Sequence, residues 1–595
     1  GQPPLRRQRT GLSPGAPMTT AHLVLASIAL LLALLAHGRV GPAVLFAAWA
    51  GGYHLLGLAS QQELLASFSN PALATLILLL LVSLALERSP LLDHLSELLL
   101  KGRVGLATLR LSAFACLISA FMNNTAVVGA LLGTVTTQRR HPASKLLIPL
   151  SYASILGGIT TLVGTSTNLV VNSFVIDAGL PPLQMFQFAW VGIPVALACI
   201  GVMALSSRLL PANASSEAEA RSTYFLEARV AAGSPMIGRS IETNRLRNLE
   251  GLFLLEIERE GRLISPVGPA EILHTGDVLV FTGEVARVQT LQRFPGLEVF
   301  GAGADALLKS NLVEVVLASS SDLANRTLRE VDFRTMFDAG VVGIRRGDRR
   351  LTGQLGRIPL RVGDSLLLAA GPDFLQHRNL DRNFHILNGS GLRPKLGRMQ
   401  SVAALSGFAL VILVAALGWL PLFGGLLVLL AALLGSGLLT LGELRRRFPF
   451  ELLVVIGSAL AIAGVVERSG AAELVAGWMR AIFDGHGVHA ALAGVYLITL
   501  TLTEVITNTA AAALAFPIAL GTARAFGVDP MPFVMVVAYG ASAGFLIPFG
   551  YQTHLMVYSA GRYRMRDFLR AGLPVSLTYS ALVLLLVPLV FPLHR

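Results

Sequence analysis

Apolar stretches long enough to cross a bilayer recur along the chain, and few folds accommodate them outside a membrane. AHLVLASIALLLALLA from Ala21, PALATLILLLLVSLAL from Pro71 and SLTYSALVLLLVPLVF from Ser576 lie in such stretches; a helix of roughly 17–25 residues spans about 30 Å of hydrocarbon. With 53% of 595 residues hydrophobic and 14% charged, the chain is too apolar for a soluble protein of this size. The stretches recur too often for a signal peptide. Residues 1–17, rich in Pro, Gly and Arg ahead of Met18, read as a disordered leader or a tag remnant.

The net charge of +12 does not indicate nucleic acid, because the arginines cluster in short loops between apolar segments, where they set orientation in a bilayer. Cys116 and Cys199 lie in apolar runs and read as packing residues, with no disulfide framework or thiolate metal site. No P-loop, H-E-x-x-H or G-x-S-x-G motif is present, so neither ATP-driven transport nor hydrolysis has support. The chain reads as a non-enzyme.

Apolar segments fill about 21–210 and 401–593, and a charged insertion with strand-like alternation separates them. The expected parts are membrane repeat 1 (18–210), two soluble units (222–298 and 306–388) and membrane repeat 2 (398–595). The halves match residue by residue: Glu63 and Phe68 with Glu443 and Phe448, Glu87-Arg88-Ser89 with Glu467-Arg468-Ser469, Asn124-Thr125-Ala126 with Asn508-Thr509-Ala510, Gly164, Thr167 and Leu169 with Gly550, Thr553 and Leu555. Within the insertion an offset of 87 residues aligns Arg239-Ser240-Ile241 with Arg326-Thr327-Leu328 and GDVLVFTG with GDSLLLAAG. GAGADA (301–306) falls at the junction of the soluble units and reads as a hinge rather than a dinucleotide site.

Loop charge reverses between the halves. The loop 59–70 lacks a basic residue while its counterpart holds Arg445, Arg446 and Arg447; the loop 138–145 holds Arg139, Arg140 and Lys145 while its counterpart holds only Arg524; the loop 176–187 has none while its counterpart holds Arg562, Arg564, Arg566 and Arg570. Because basic loops stay on the cytoplasmic side, equivalent loops face opposite sides, as in inverted repeats. The expected fold is an all-α polytopic membrane protein of about ten transmembrane helices plus two re-entrant hairpins, with an inserted cytoplasmic α/β tandem.

Each half interrupts an apolar segment with polar residues: SAFMNNTAVVGALL (119–132) and TLTEVITNTAAAAL (501–514). Unpaired polar groups in hydrocarbon cost several kcal/mol; a hairpin tip at a hydrated midplane site gives them a use. Helix N-termini there offer N–H donors and partial positive charge to an anion, while carbonyl, Asn and Thr oxygens can ligate a cation. A second pair of interruptions, GGITTLVGTSTNLVV (157–171) and AGFLIPFGYQTHLMV (543–557), fits broken helices, with Gly164 and Gly550 permitting the break. Glu504 reads either as a proton-coupling carboxylate or a structural acid, His554 as a substrate contact or a neutral hydrogen-bonding group, and His54 as interior packing.

These tips and breaks, with the F-x-x-x-G-[IL]-P-V signals, resemble the divalent anion/sodium symporter family, solute carrier family 13, across both membrane halves. The insertion resembles two TrkA C-terminal domains, found in one bacterial branch of that family. The resemblance implies substrate contacts at Asn124, Thr125, Asn508 and Thr509, with Thr165 and Thr553 beside them. It places one sodium site at Ser119, Asn123, Asn124 and Gly164, and a second at Thr503, Thr507, Asn508 and Gly550. It further implies a sodium-coupled symporter with elevator-type alternating access, a homodimer in the inner (cytoplasmic) membrane, and no organic cofactor. No serine opens either tip and no arginine lies in one, so sulfate or a similar oxyanion is expected ahead of a dicarboxylate. A ligand-gated channel and a non-transporting sensor are the alternatives, and the soluble pair is expected to sense a small cytoplasmic ligand.

Overall fold

The computed structural model describes residues 19–594 except 38–39, 89–98, 139, 208–209, 214–223, 247–248, 250–251, 261, 265–266, 284–290, 292, 300–311, 319–320, 348, 352–354, 371–373, 375–376, 378, 389–395, 484 and 549. Residues 1–17 and the hinge expected at 301–306 therefore lie outside the described residues.

The first membrane half holds α1 (Thr20–His37), α2 (Pro42–Leu55), α3 (Gln61–Phe68), α4 (Pro71–Leu86), α5 (Val104–Ser119), α6 (Asn124–Thr137), α7 (Leu147–Gly158), α8 (Ser166–Asp177) and α9 (Ala189–Ser206). Two short helices, α10 (Phe333–Phe337) and α11 (Leu380–Asn383), belong to the insertion. The second half repeats the order of the first with α12 (Arg398–Ala416), α13 (Leu422–Gly435), α14 (Leu441–Arg446), α15 (Phe450–Arg468), α16 (Ala471–Phe483), α17 (Val488–Val505), α18 (Asn508–Phe526), α19 (Met531–Ala541), α20 (Gln552–Ala560) and α21 (Met565–Val590). Eight spans among the described residues are long and apolar enough to cross a bilayer, fewer than the ten expected. The physical reason is segmentation: a helix of 12 residues such as α7 or α8 reaches about 18 Å, short of the hydrocarbon thickness.

Local chemistry fixes equivalent helix starts. Ser60 and Glu63 form a capping box on α3, and Thr440 and Glu443 form the same box on α14. The two glutamates then pair across the halves: Arg88 Nη1 meets Glu443 Oε1 at 3.1 Å, and Arg468 Nη1 meets Glu63 Oε1 at 3.2 Å. Arg88 and Arg468 are themselves equivalent, so the two ion pairs are one contact made reciprocally. The later helices interlock in the same way, α6 packing on α20 and α8 on α18.

The insertion forms two antiparallel five-stranded sheets. The first comprises β1 (Tyr224–Val230), β2 (Leu252–Arg259), β3 (Arg262–Ile264), β4 (Val278–Gly283) and β5 (Leu297–Val299), in spatial order β3-β2-β4-β1-β5. The second comprises β6 (Leu312–Leu317), β7 (Ala339–Arg346), β8 (Arg349–Arg350), β9 (Ser365–Ala370) and β10 (Phe384–Asn388), in order β10-β6-β9-β7-β8, which is the first order read backwards. A register shift interrupts β2 at Leu254/Glu256 and β7 at Val341/Gly343, the same place in each copy. Arg259 grips the fully buried Asp277 through Nε–Oδ1 and Nη2–Oδ2 contacts, both 2.9 Å, and Arg346 grips Asp364 through the same atoms at 2.7 and 2.8 Å. The α/β expectation is therefore corrected: among the described residues these units are antiparallel β with only short helices, because alternating runs such as LVEVVL bury Val313, Val315 and Leu317 on one face.

The second sheet docks on the membrane body. Arg345 Nη2 donates to Ser559 O at 3.0 Å in the last turn of α20, and it also meets Glu314 Oε1 at 3.3 Å. Ser365 Oγ donates to the same Glu314 oxygen at 2.7 Å.

Candidate functional site

At the end of α5 the chain turns sharply and restarts as α6. Asn123 Oδ1 accepts from the Thr125 amide at 2.9 Å and caps the new helix. Ser119 Oγ donates to Asn124 Oδ1 at 2.8 Å, holding that carboxamide in the turn. Behind it, α7 stops at Gly158 and α8 starts at Ser166. Thr161 organises the break: its Oγ1 accepts from Gly164 N at 3.0 Å and donates to Ala120 O. Asn168 Nδ2 donates to Gly158 O at 3.3 Å and Thr161 O at 2.8 Å.

The glycines here are required by the approach of oxygen atoms. A Cβ on Gly164 would stand 2.8 Å from Gly158 O and 2.9 Å from Ala120 O, and a Cβ on Gly158 would stand 2.8 Å from Asn124 Oδ1. Ser119 Oγ, Asn124 Oδ1 and these carbonyls form a compact cluster of hard, uncharged oxygens, the donor set that suits an alkali cation.

The second half repeats the arrangement. α17 gives way to α18, Thr507 Oγ1 accepts from Ala510 N at 3.4 Å as the cap, and Thr503 Oγ1 lies 2.9 Å from Asn508 Oδ1 and 2.6 Å from Ala541 O. His554, fully buried, takes the place of Asn168: its Nε2 meets Gly544 O at 2.9 Å and its Nδ1 meets Ser151 Oγ at 2.8 Å. The halves differ at Glu504, whose two oxygens accept from Leu546 N at 3.0 Å and Ile547 N at 3.1 Å and so tie the second break to the second tip. Gly550 is roomier than Gly164, its nearest neighbour to an added Cβ being Thr503 O at 3.4 Å.

The G-[IL]-P-V motifs brace both breaks from behind. A Cβ on Gly192 would stand 2.6 Å from Ile159 O, and one on Gly572 would overlap Phe545 O, so α9 and α21 lie directly against the broken backbone.

Both tips and both breaks open into one cavity of about 2360 Å³. Asn123, Asn124, Thr125, Gly164, Thr165, Thr507, Asn508, Thr509 and Gly550 all line it. Four helix N-termini, those of α6, α8, α18 and α20, therefore meet one space, each contributing partial positive charge and free amides. Ser119 and Thr503 are buried one layer behind, bonded to the two asparagines. Thr553 is the exception: it is 1% exposed and outside the cavity lining, because α20 presents Gln552 there and Tyr551 occupies the position of Thr165. Ser166, Gln552 and Glu504 line the cavity although the sequence reading did not assign them to substrate or cation. Gln552 Oε1 stands 3.4 Å from Thr125 Oγ1, where the two halves touch; only its place beside Gly550 could have signalled it.

Comparison with known proteins addresses the family. The family described as citrate transporter (CitMHS) matches residues 18–538. A putative sulfur deprivation response regulator of Chlamydomonas reinhardtii is 33% identical over 548 residues, 88% of this chain and 93% of that protein. Sodium/sulfate cotransporter 1 of the same alga is 28% identical over 364 residues, 59% of this chain and 41% of that protein. A sodium-dependent low-affinity dicarboxylate transporter of Caenorhabditis elegans is 32% identical over 163 residues, 27% of this chain and 28% of that protein. The apolar spans, the paired polar breaks at one cavity and a match over most of the length lead to one conclusion: the chain belongs to the citrate transporter family and is a multi-pass membrane transporter rather than an enzyme.

Proposed function

We propose that the protein is a sodium-coupled symporter of a small divalent anion, with sulfate or a similar oxyanion as the favoured substrate. The observation that carries this reading is the doubled oxygen shell, Ser119–Asn124–Gly164 and Thr503–Asn508–Gly550, flanking four helix N-termini in one cavity. Two sodium ions held there, with Asn123 and Thr507 at the caps, would offset the charge of an incoming dianion. Asn124, Thr125, Asn508 and Thr509 would contact it, with Thr165 and, in place of Thr553, Gln552 at the edge. Neither tip brings a guanidinium to the anion, which favours coupling by cation over direct ion pairing. The sodium/sulfate relatives support the choice of both ions.

In this reading the two halves are inverted repeats. Tips and breaks form hairpins and moving broken helices, and the earlier helices of each half form a scaffold through which two copies pair in the inner membrane. The sign reversal of loop charge supports the inversion. The insertion, resembling TrkA C-terminal domains, lies in the cytoplasm and regulates. A dicarboxylate substrate is the second reading, favoured by the family match and by the nematode relative.

Proteoliposomes test the assignment with radiolabelled sulfate, phosphate and succinate, each with and without a sodium gradient. Saturable, sodium-dependent sulfate uptake is expected, and Asn124→Ala or Asn508→Ala abolishes it while the protein still purifies as a folded species. Flux indifferent to sodium would indicate a channel, and normal uptake by both variants would remove the proposed site.

A further inference from the structure

The far end of the substrate cavity is walled by the insertion, and its charge is not accounted for by folding. Arg382 there is paired with Asp322 at 2.9 Å, and on the membrane side Arg88 and Arg447 are paired with Glu443 and Glu87. Arg326 and Arg361 also line the cavity, and neither guanidinium has an acceptor among the described residues. Their segments are held side by side by Asn325 N to Leu360 O at 2.7 Å and Leu360 N to Arg326 O at 2.9 Å. Across the cavity Arg446 is likewise without a partner among the described residues; Glu451 and Glu504 line the same cavity outside these pairs, and Asp364, held by Arg346, accepts from the Arg361 backbone N–H at 2.8 Å. Arginine is the side chain best shaped to grip a tetrahedral oxyanion, and unpaired cations in a concave wall raise the local anion concentration.

We propose that Arg326 and Arg361 form a second, sodium-independent oxyanion site on the second soluble unit, facing the transport site across the shared cavity. The identity of its ligand as the transported anion rests on the function proposed above; the site itself does not. An anion leaving uncharged tips meets these guanidinia as the first unpaired fixed charges on the insertion side. Occupancy can also reach the transport elements, because the same sheet grips the last turn of α20 through Arg345, and the first residues of α20 line the substrate cavity.

The experiment is equilibrium binding of radiolabelled sulfate to the purified full-length protein at low ionic strength, in sodium and in choline, with unlabelled phosphate or ATP as competitors. Wild type is expected to keep a saturable component in choline. The R326Q/R361Q variant loses at least about tenfold in that component's affinity. Arg239→Gln, the matching position of the first unit and outside the cavity lining, leaves it unchanged, as does N124A/N508A. Competition by phosphate identifies a small-oxyanion site, and tighter competition by ATP identifies a nucleotide as the source of the oxyanion. No choline component for any of the three anions, or one that R326Q/R361Q leaves intact, overturns the proposal. Sodium-dependent binding lost only in N124A/N508A would still stand for the transport site, so the two readings fail separately.

Discussion

The same substitution in the two halves is expected to act unequally. Gly164→Ala puts a methyl group 2.8 Å from Gly158 O and 2.9 Å from Ala120 O, and both neighbours are backbone held by the Thr161 and Asn168 hydrogen bonds. They can yield only by moving the carbonyls of the proposed first sodium site. Overpacking of this kind costs about 1–3 kcal/mol, so if the cost falls on cation binding the sodium affinity drops by about 5- to 150-fold. Gly550→Ala meets nothing closer than Thr503 O at 3.4 Å, an ordinary contact; its effect stays within about twofold. Sodium activation curves for sulfate uptake, measured on both variants beside a thermal unfolding scan, separate affinity from stability. Equal shifts in the two variants, or a larger one in Gly550→Ala, would refute the steric reasoning.

Three further outcomes are expected. Asp364→Asn strips a fully buried carboxylate from Arg346 and lowers stability by about 3–5 kcal/mol, whereas Asp322→Asn, in an ion pair roughly half exposed, changes it by less than about 1 kcal/mol; chemical denaturation ranks them. Burial, with repulsion from Glu258, pushes the Glu227 carboxyl up from 4.5 to about 7, against a hydrogen bond from the Leu355 backbone and attraction by Arg229. The folded state thus holds the proton more tightly: its stabilisation is complete below about 4.5 and is lost as pH rises through about 7, by on the order of 3 kcal/mol. Hydrogen exchange of β1, corrected for intrinsic rates, should show that loss, and Glu227→Gln should abolish it. A double-mutant cycle on Arg88 and Glu443 should give a larger coupling than one on Arg468 and Glu63, because the first pair is more shielded from water.

The polar tips were legible in the sequence because an Asn-Thr pair inside an apolar run has few purposes and occurred twice. Repetition also exposed the halves and the soluble copies, whereas the grips of Arg259 and Arg346 on their buried aspartates came only with the fold. Partners joined only by folding were not legible. The need for glycine at 158 arises only from the carboxamide of Asn124 packed against it, and Gln552 reaches the cavity only because α6 and α20 cross between halves. Thr553 was misassigned for a rotational reason: one residue along a helix turns a side chain by about 100°, enough to carry it from the cavity to the packed face. Among the described residues eight spans rather than ten reach bilayer length, because broken helices leave halves shorter than the bilayer.

The reciprocal Glu–Arg contacts bear on how the chain is made. Glu63 leaves the ribosome 405 residues before the arginine it meets, and Glu443 closes with an arginine 355 residues upstream of it. At about 5–20 residues per second, each contact waits roughly 20–80 s. During that interval the early half sits in the bilayer with its scaffold unfinished while two soluble sheets are synthesised and fold. Assembly is thus ordered by the polypeptide's own length, and a chain truncated within the insertion would leave an inserted but unlocked half, a natural substrate for membrane quality control.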